Sequence, residues 1–235
     1  MPELEVNFLL FDLDGTLVNS TPAVEKTWSD TVTVHNEKYP ESQIDLDEFL
    51  HQTHGSRTVE TFRKWFPYRP AEQSDIAMFE QGIVTNYGSW AKEVDGASRL
   101  LTSLTEEFHD NWAIVTSGTT ALATGWIKTL FGEEYQPSVF ITADLVGKGK
   151  PDPEGYRKAF ELLRLQSKFG EDATAVVFED APTGIAAGVA AGFPVIGLAT
   201  TFLKEKLLAA GASYVIEDLT GIKLSRVNDR VLISF

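Results

Sequence analysis

Asp12 and Asp14 stand two residues apart in the stretch Asp12-Leu13-Asp14-Gly15-Thr16, which follows directly on the apolar run Val6 to Phe11. If that run ends a buried strand, side chains at i and i+2 leave on one face and the two carboxylates meet at its tip. Acids that close resist double ionisation unless a cation or a shared proton relieves the repulsion. The pair is therefore costly as decoration and suited to chemistry. Its plain alternative is a strand end followed by an Asp-Gly turn. Three further segments weigh against that alternative: Val115-Thr116-Ser117-Gly118, Gly149-Lys150-Pro151-Asp152-Pro153 and Phe178-Glu179-Asp180-Ala181-Pro182, each at or just past the end of a candidate strand or loop.

The elements that must position these residues alternate in type. Strands are predicted at Phe8 to Phe11, Trp112 to Thr116, Val139 to Ile141, Ala175 to Phe178, Pro194 to Leu198 and Tyr214 to Ile216, mostly unbroken apolar runs that demand burial on both faces. Helical patterns fall between them at Thr119 to Leu130, Glu154 to Leu165, Thr183 to Ala191 and Leu203 to Ala210. Such alternation predicts an α/β fold, a doubly wound parallel sheet with a Rossmann-like core. One region breaks the rhythm. Residues 21–90 carry only helix-like stretches, near Ala23 to Asn36, Asp45 to Gln52, Thr58 to Phe66 and Ala71 to Tyr87. This predicts a helical insert at 21–90, a cap on a core made of 1–20 and 91–235, seated over the sheet's carboxyl edge where open parallel sheets bind ligands. The C-terminal piece ending in Val231-Leu232-Ile233 reads as a late strand or hairpin.

Composition excludes several classes. The 235 residues are 43% hydrophobic, enough for a good-sized core, and contain no cysteine, hence no disulfide, thiolate zinc site or cysteine nucleophile. A formal charge of -14 argues against nucleic-acid and anionic-membrane partners but leaves room for a small phosphorylated metabolite, which needs only local donors and a cation. With no charged-then-apolar leader before Val6 and no apolar run near the roughly 18 residues of a membrane span, a soluble cytoplasmic protein is expected. Nothing apolar stands out to argue for a dimer, so the oligomeric state stays open. Gly147-Lys148-Gly149-Lys150 fails as a phosphate loop, having neither Ser nor Thr after a lysine, and His35, His51, His54 and His109 lack zinc spacing. No G-x-S-x-G or G-x-G-x-x-G is present.

In order and spacing, the four acidic and hydroxyl segments resemble the four motifs of the haloacid dehalogenase superfamily, in its branch with a helical cap after the first motif. Trp112 to Gly118, Gly149 to Tyr156 and Val177 to Pro182 are similar to 2-deoxyglucose-6-phosphate phosphatases, with glycerol 3-phosphate phosphatases sharing much of the text. The resemblance implies a magnesium-dependent phosphatase for a small sugar or polyol phosphate. Asp12 would attack phosphorus to give an aspartyl-phosphate, and Mg2+ would be held by Asp12, the backbone carbonyl of Asp14 and Asp180, with Glu179 near. Asp14 would serve as general acid, then base, which requires its pKa to rise from about 3.9. Thr116 with the amides of Ser117 and Gly118 would grip the phosphate oxygens, against the alternative of a plain helix cap. Lys150 would offset charge on the transferring group, against a solvated loop lysine, and its bond to Pro151 is read as cis. Thr16 would steady Asp14 or cap the next turn. In the insert, His54-Gly55-Ser56-Arg57 resembles a specificity loop, making His54 and Arg57 candidate substrate contacts; Glu25 shares that question, and Trp28, Trp65 and Phe66 read as the insert's own core. The rivals are a glycerol 3-phosphate phosphatase, a β-phosphoglucomutase-like phosphomutase, a dehalogenase and a non-catalytic phosphometabolite sensor.

Overall fold

Four apolar residues in succession, Phe8–Phe11, have no polar face to turn to water, and the chain buries both of theirs at the centre of a sheet. The computed structural model describes residues 2–235. In chain order the elements are β1 (Glu3–Val6), β2 (Phe8–Phe11), β3 (Val18–Asn19), α1 (Thr21–Lys38), α2 (Leu46–Thr53), α3 (Thr58–Trp65), α4 (Gln73–Tyr87), β4 (Lys92–Glu93), α5 (Ala97–Glu107), β5 (Trp112–Val115), α6 (Thr120–Leu130), β6 (Val139–Ile141), α7 (Glu154–Gln166), β7 (Ala175–Glu179), α8 (Pro182–Ala191), β8 (Val195–Leu198), α9 (Lys204–Ala209), β9 (Tyr214–Ile216), β10 (Lys223–Val227) and β11 (Arg230–Ser234).

The main sheet is six-stranded and parallel, in the order β6-β5-β2-β7-β8-β9. Its side chains divide by parity: Leu9 and Phe11 join α5 and α6 residues on one face, whereas Phe8 and Leu10 join α7, α8 and α9 residues on the other. Helices thus cover both faces, the doubly wound α/β arrangement expected from the alternating pattern. Strand order reverses at β2, with β5 on one side and β7 on the other, so the loops after these three strands meet at the carboxyl edge.

The apolar run from Val6 is not one strand. Asn7 interrupts it, buried, its Oδ1 accepting from the Thr174 amide at 2.8 Å while its carbonyl accepts from Asn111 Nδ2 at 2.9 Å. Upstream, β1 leaves the main sheet and pairs antiparallel with β11, which pairs with β10. The C-terminal piece is therefore a hairpin, turned by Asn228 and Asp229 at φ 47° and 67°, both left-handed as a two-residue hairpin turn requires.

The helices α1 to α4 lie between β3 and β4, which pair with each other through Val18 with Glu93 and Asn19 with Lys92 and so join the two chain crossings. They have a core of their own, built from Trp28, Phe49, Phe62 and Phe66, as expected for that region's aromatics; Trp65 packs against it half-buried. Trp28 stacks on Phe66 with centroids 6.1 Å apart and lies edge-on to Phe62.

Within the main sheet, Phe11 of β2 and Phe178 of β7 stack with ring centroids 4.5 Å apart, both fully buried beneath the carboxyl edge. Phe178→Ala would leave a void there and is expected to cost about 3–5 kcal/mol, read as a lowered urea midpoint without a change in slope.

Candidate active site

Four loops deliver the site. Asp12 and Asp14 follow β2, Thr116 follows β5, Lys150 lies in the segment after β6, and Glu179 and Asp180 end β7. Lys150, 8% exposed in its side chain, is not a solvated loop lysine: its Nζ donates to Asp12 Oδ1 at 2.5 Å and to Glu179 Oε1 at 2.7 Å. The Lys150-Pro151 bond is cis, as read from the sequence. Tyr156 on α7, one turn past the loop, donates its hydroxyl to Glu179 Oε1 at 3.0 Å and places its ring centroid 5.1 Å from the ammonium. Glu179 Oε2 accepts the Ala181 amide at 3.0 Å. Both Glu179 oxygens thus have protein donors.

Asp12 Oδ2 is buried and has no partner among the described residues. Asp12, Glu179 and Asp180 bring one carboxylate oxygen each within 4.8 Å of one another. The neighbouring loop is shaped to admit this crowd: Gly15 has φ +88°, and a Cβ there would lie 2.0 Å from Asp180 Oδ2. An orphaned carboxylate oxygen beside other hard oxygen donors suits a divalent cation such as magnesium. The donor set fits.

Asp14 points elsewhere, accepting from Ser20 Oγ at 2.6 Å and from Thr116 Oγ1 at 3.4 Å. Thr16 does neither thing expected of it. Its hydroxyl is buried without a partner among the described residues, because Ser20, at the start of α1, and Thr116 reach Asp14 instead. Thr116 Oγ1 also accepts the Gly118 amide at 3.0 Å, and the residue that caps α6 is Thr119, which accepts from Leu122 N. The stretch from Thr116 to Gly118 is therefore loop ahead of the helix, not its cap.

Burial dominates the electrostatics. Removed from water and beside the charges of Glu179 and Asp14, Asp12 is pushed up to about 7, although Lys150 pulls the other way. Burial likewise raises Asp14 and, with the Glu179 and Asp12 charges, holds Asp180 well above the usual carboxylate range. Burial alone would lower Lys150, but Asp12 and Glu179 on either side outweigh it and raise its pKa.

A chamber opens between this edge and the helical insert. Ser117, Gly118, Asp14 and Asp180 line its floor, and Glu25, Trp28, Thr53 and His54 are among those lining it from the insert. His54 also lies edge-on to Phe202. Arg57 does not join them. Its Nη2 donates to the Ala143 carbonyl at 2.8 Å and its methylenes cross Gly149, where a Cβ would lie 2.3 Å from Arg57 Cδ, so it lines neighbouring recesses rather than the chamber with Asp14.

Sequence reasoning passed over the roles of Ser20, Tyr156 and Glu80. Glu80, 2% exposed on α4, accepts from the Thr58 hydroxyl and, at 2.7 Å, from the amide of Thr119, tying the insert to the start of α6. A signal existed: an acid sits at helical spacing between the buried Ile76 and Ile83. Burial raises its pKa.

A doubly wound sheet with a helical insert after its first acidic loop, and Asp, Thr, Lys and Asp gathered at its carboxyl edge, is the build of a haloacid dehalogenase-like hydrolase. The chain belongs to that family, which it matches over residues 6–192. It is 37% identical over 243 residues to 2-deoxyglucose-6-phosphate phosphatase 2 of Saccharomyces cerevisiae, covering 99% of this chain and 96% of that protein. It is 35% identical over 227 residues to glycerol-1-phosphate phosphohydrolase 1 of the same yeast, covering 96% and 87%. A hydrolase from Pseudomonas syringae has the same fold, at a TM-score of 0.70 and 22% identity over 91% of this chain and 94% of its own. No helix among the described residues is long and apolar enough to cross a membrane.

The raised carboxylates predict how stability varies with pH. Between the unfolded value of 3.8 and about 7, folded protein holds a proton on Asp12 that the unfolded chain has released. This contribution is therefore fully present at the acid end of that window and lost as pH rises through it. In chelator-treated protein, Asp12→Asn is expected to flatten the fall in Tm between pH 5 and 7, measured by thermal melts across that range.

Proposed function

We propose that this protein is a magnesium-dependent phosphatase of the cytoplasm that hydrolyses a small sugar or polyol phosphate through an aspartyl-phosphate on Asp12, with residues 21–90 acting as the cap over a core of 1–20 and 91–235. The observation that carries the reading is Asp12 itself: a buried carboxylate with one oxygen on Lys150 and the other unpartnered, two residues before the Asp14 that lines the chamber floor. The substrate class is supported by the yeast relatives, whose names are those of enzymes for 2-deoxyglucose 6-phosphate and glycerol 1-phosphate.

In this mechanism a carboxylate oxygen of Asp12 attacks phosphorus in line with the departing ester oxygen. Asp14, whose burial favours the protonated form, gives its proton to the leaving alkoxide as the P–O bond breaks. In the second half Asp14 takes a proton from water attacking the phosphoenzyme, and the Asp12 carboxylate and inorganic phosphate are released. Ser20 and Thr116 keep Asp14 on the leaving-group side. Thr116 and the amides of Ser117 and Gly118 grip the non-bridging oxygens ahead of the α6 N-terminus. Lys150, aimed by Glu179 and Tyr156, balances charge on the phosphoryl group in flight. Asp12, Asp180 and the Asp14 carbonyl would hold a magnesium ion, whose charge allows an anionic nucleophile to meet an anionic phosphate. Glu179 supports this set by fixing Lys150. His54 meets the organic part of the substrate, and Arg57 holds the insert against the loop before Lys150.

The test is release of inorganic phosphate from 2-deoxyglucose 6-phosphate and glycerol phosphate, with magnesium and with chelator. Multiple turnovers without a bisphosphate primer, abolished by chelator, are expected; retention of the phosphoryl group on another hydroxyl would favour the mutase instead. Asp12→Asn is expected to remove turnover and Asp14→Asn to lower kcat by about 10²–10⁴-fold. Full turnover in Asp12→Asn would overturn the mechanism.

A further inference from the structure

The chamber above Asp14 contains the elements of a charge filter. Its lining includes the carboxylates of Glu25 on α1 and Glu80 on α4, together with Asp14 and Asp180 on the floor. Among the described residues no lysine or arginine lines it. The basic side chains that approach the site lie outside this lining, Arg57 in the adjoining recesses. Lys150 lies between Asp12 and Glu179, Arg57 is bonded to the Ala143 carbonyl, and Lys206 sits over the Phe202 ring at 4.1 Å. Among the described lining residues His54 alone can take a positive charge, but burial and the Lys206 charge lower its pKa and favour the neutral ring.

Ser117 and Gly118 supply donors at the chamber floor, with Thr116 and Lys150 in the adjoining recess, and in the proposed mechanism all four serve the phosphoryl group that is transferred. The walls above offer hydroxyls, Trp28 and carboxylates. We propose that Glu25, on a chamber wall that carries no lysine or arginine among the described residues, makes this chamber reject substrates whose leaving group carries a second anionic group, so that monophosphates of neutral polyols and sugars are accepted while bisphosphates and phosphorylated acids are excluded. A carboxylate or second phosphate on the leaving group would exchange water for the Glu25 carboxylate, with no lysine or arginine among the described lining residues to offset it, and like-charge juxtaposition in a recognition site costs several-fold to many-fold in affinity. The same absence bears on the phosphomutase alternative, which needs a seat for the far phosphate of a bisphosphate. Polyol hydroxyls meet no such penalty, since they donate to carboxylates.

This inference rests on the phosphatase reading, and the experiment separates the two. Phosphate release is followed for glycerol phosphate against 3-phosphoglycerate, which differ at a terminal carbon bearing hydroxyl or carboxylate, and for fructose 6-phosphate against fructose 1,6-bisphosphate. In each pair kcat/KM is expected to favour the monoanionic-site substrate by at least about 100-fold, the size of a few kcal/mol of charge repulsion at 1.4 kcal/mol per tenfold. Glu25→Gln should narrow that ratio by about tenfold, and Glu25→Lys should narrow it further, with the gain seen in KM for the doubly anionic member. A ratio below about threefold in the unmodified protein, or a ratio that neither Glu25 variant moves, overturns the filter while leaving the phosphatase reading intact. No phosphate release from any of the single esters overturns the phosphatase reading and the filter with it.

Discussion

Everything at the carboxyl edge answers to one constraint: Asp12, Glu179 and Asp180 are buried with Asp14 half-buried beside them, and among the described residues the ammonium that meets them is that of Lys150, on Asp12 and Glu179. Ionised carboxylates in a low-dielectric site are tolerated only when paired, protonated or bound to a cation. Each local feature reads as a response. Lys150 bridges two of the acids, Tyr156 and the Ala181 amide occupy the remaining capacity of Glu179, and Ser20 and Thr116 supply Asp14 with donors. Two glycines keep the space open. A Cβ at Gly15 would collide with Asp180, and one at Gly184 would lie 1.6 Å from Glu179 Oε1. What the protein does not neutralise by itself, chiefly the free oxygen of Asp12, is what a divalent cation and a phosphorus centre would take up.

The insert bears on that edge at distinct points. Glu80 binds the first amide of the α6 region from one side, and Arg57 reaches the Ala143 carbonyl and covers Gly149 from the other. These contacts put insert residues against the two loops that carry Ser117 and Lys150. Between them lies the chamber, whose walls come from α1, α2, α4 and the Thr53 to Ser56 turn. The proposed chemistry thus belongs to the sheet edge and the proposed choice of substrate to the insert. Glycine 55, at φ +75° and with a Cβ position 3.4 Å from the Thr183 hydroxyl, lets that turn lie close to α8.

Much of this was readable along the chain. Unbroken apolar runs such as Phe8–Phe11 and Ala175–Phe178 have one stable use, a strand buried on both faces, and their alternation with helical periodicity leaves few topologies. The insert was visible as a stretch where that alternation stops. Less visible was α5, and Asn7 hid the division between β1 and β2, because a single buried polar residue barely alters an apolar run yet sends the two halves into different sheets. The Thr16 hydroxyl was misjudged for a related reason. Closeness along the chain made it the nearest donor to Asp14, whereas folding brought Ser20 and Thr116 nearer.

Residue types and short-range spacing, then, already contained the paired acids, the hydroxyl loop, the lysine and the second acidic pair, because periodicity and motif order are properties of neighbouring residues. Packing alone determined which of them meet. Lys150 and Asp12 are 138 positions apart, Glu80 and Thr119 39, Arg57 and Ala143 86, and no local pattern specifies such distances. Burial, and with it the raised carboxylates and the cation-free chamber walls, exists only once the sheet, its loops and the insert exclude water together.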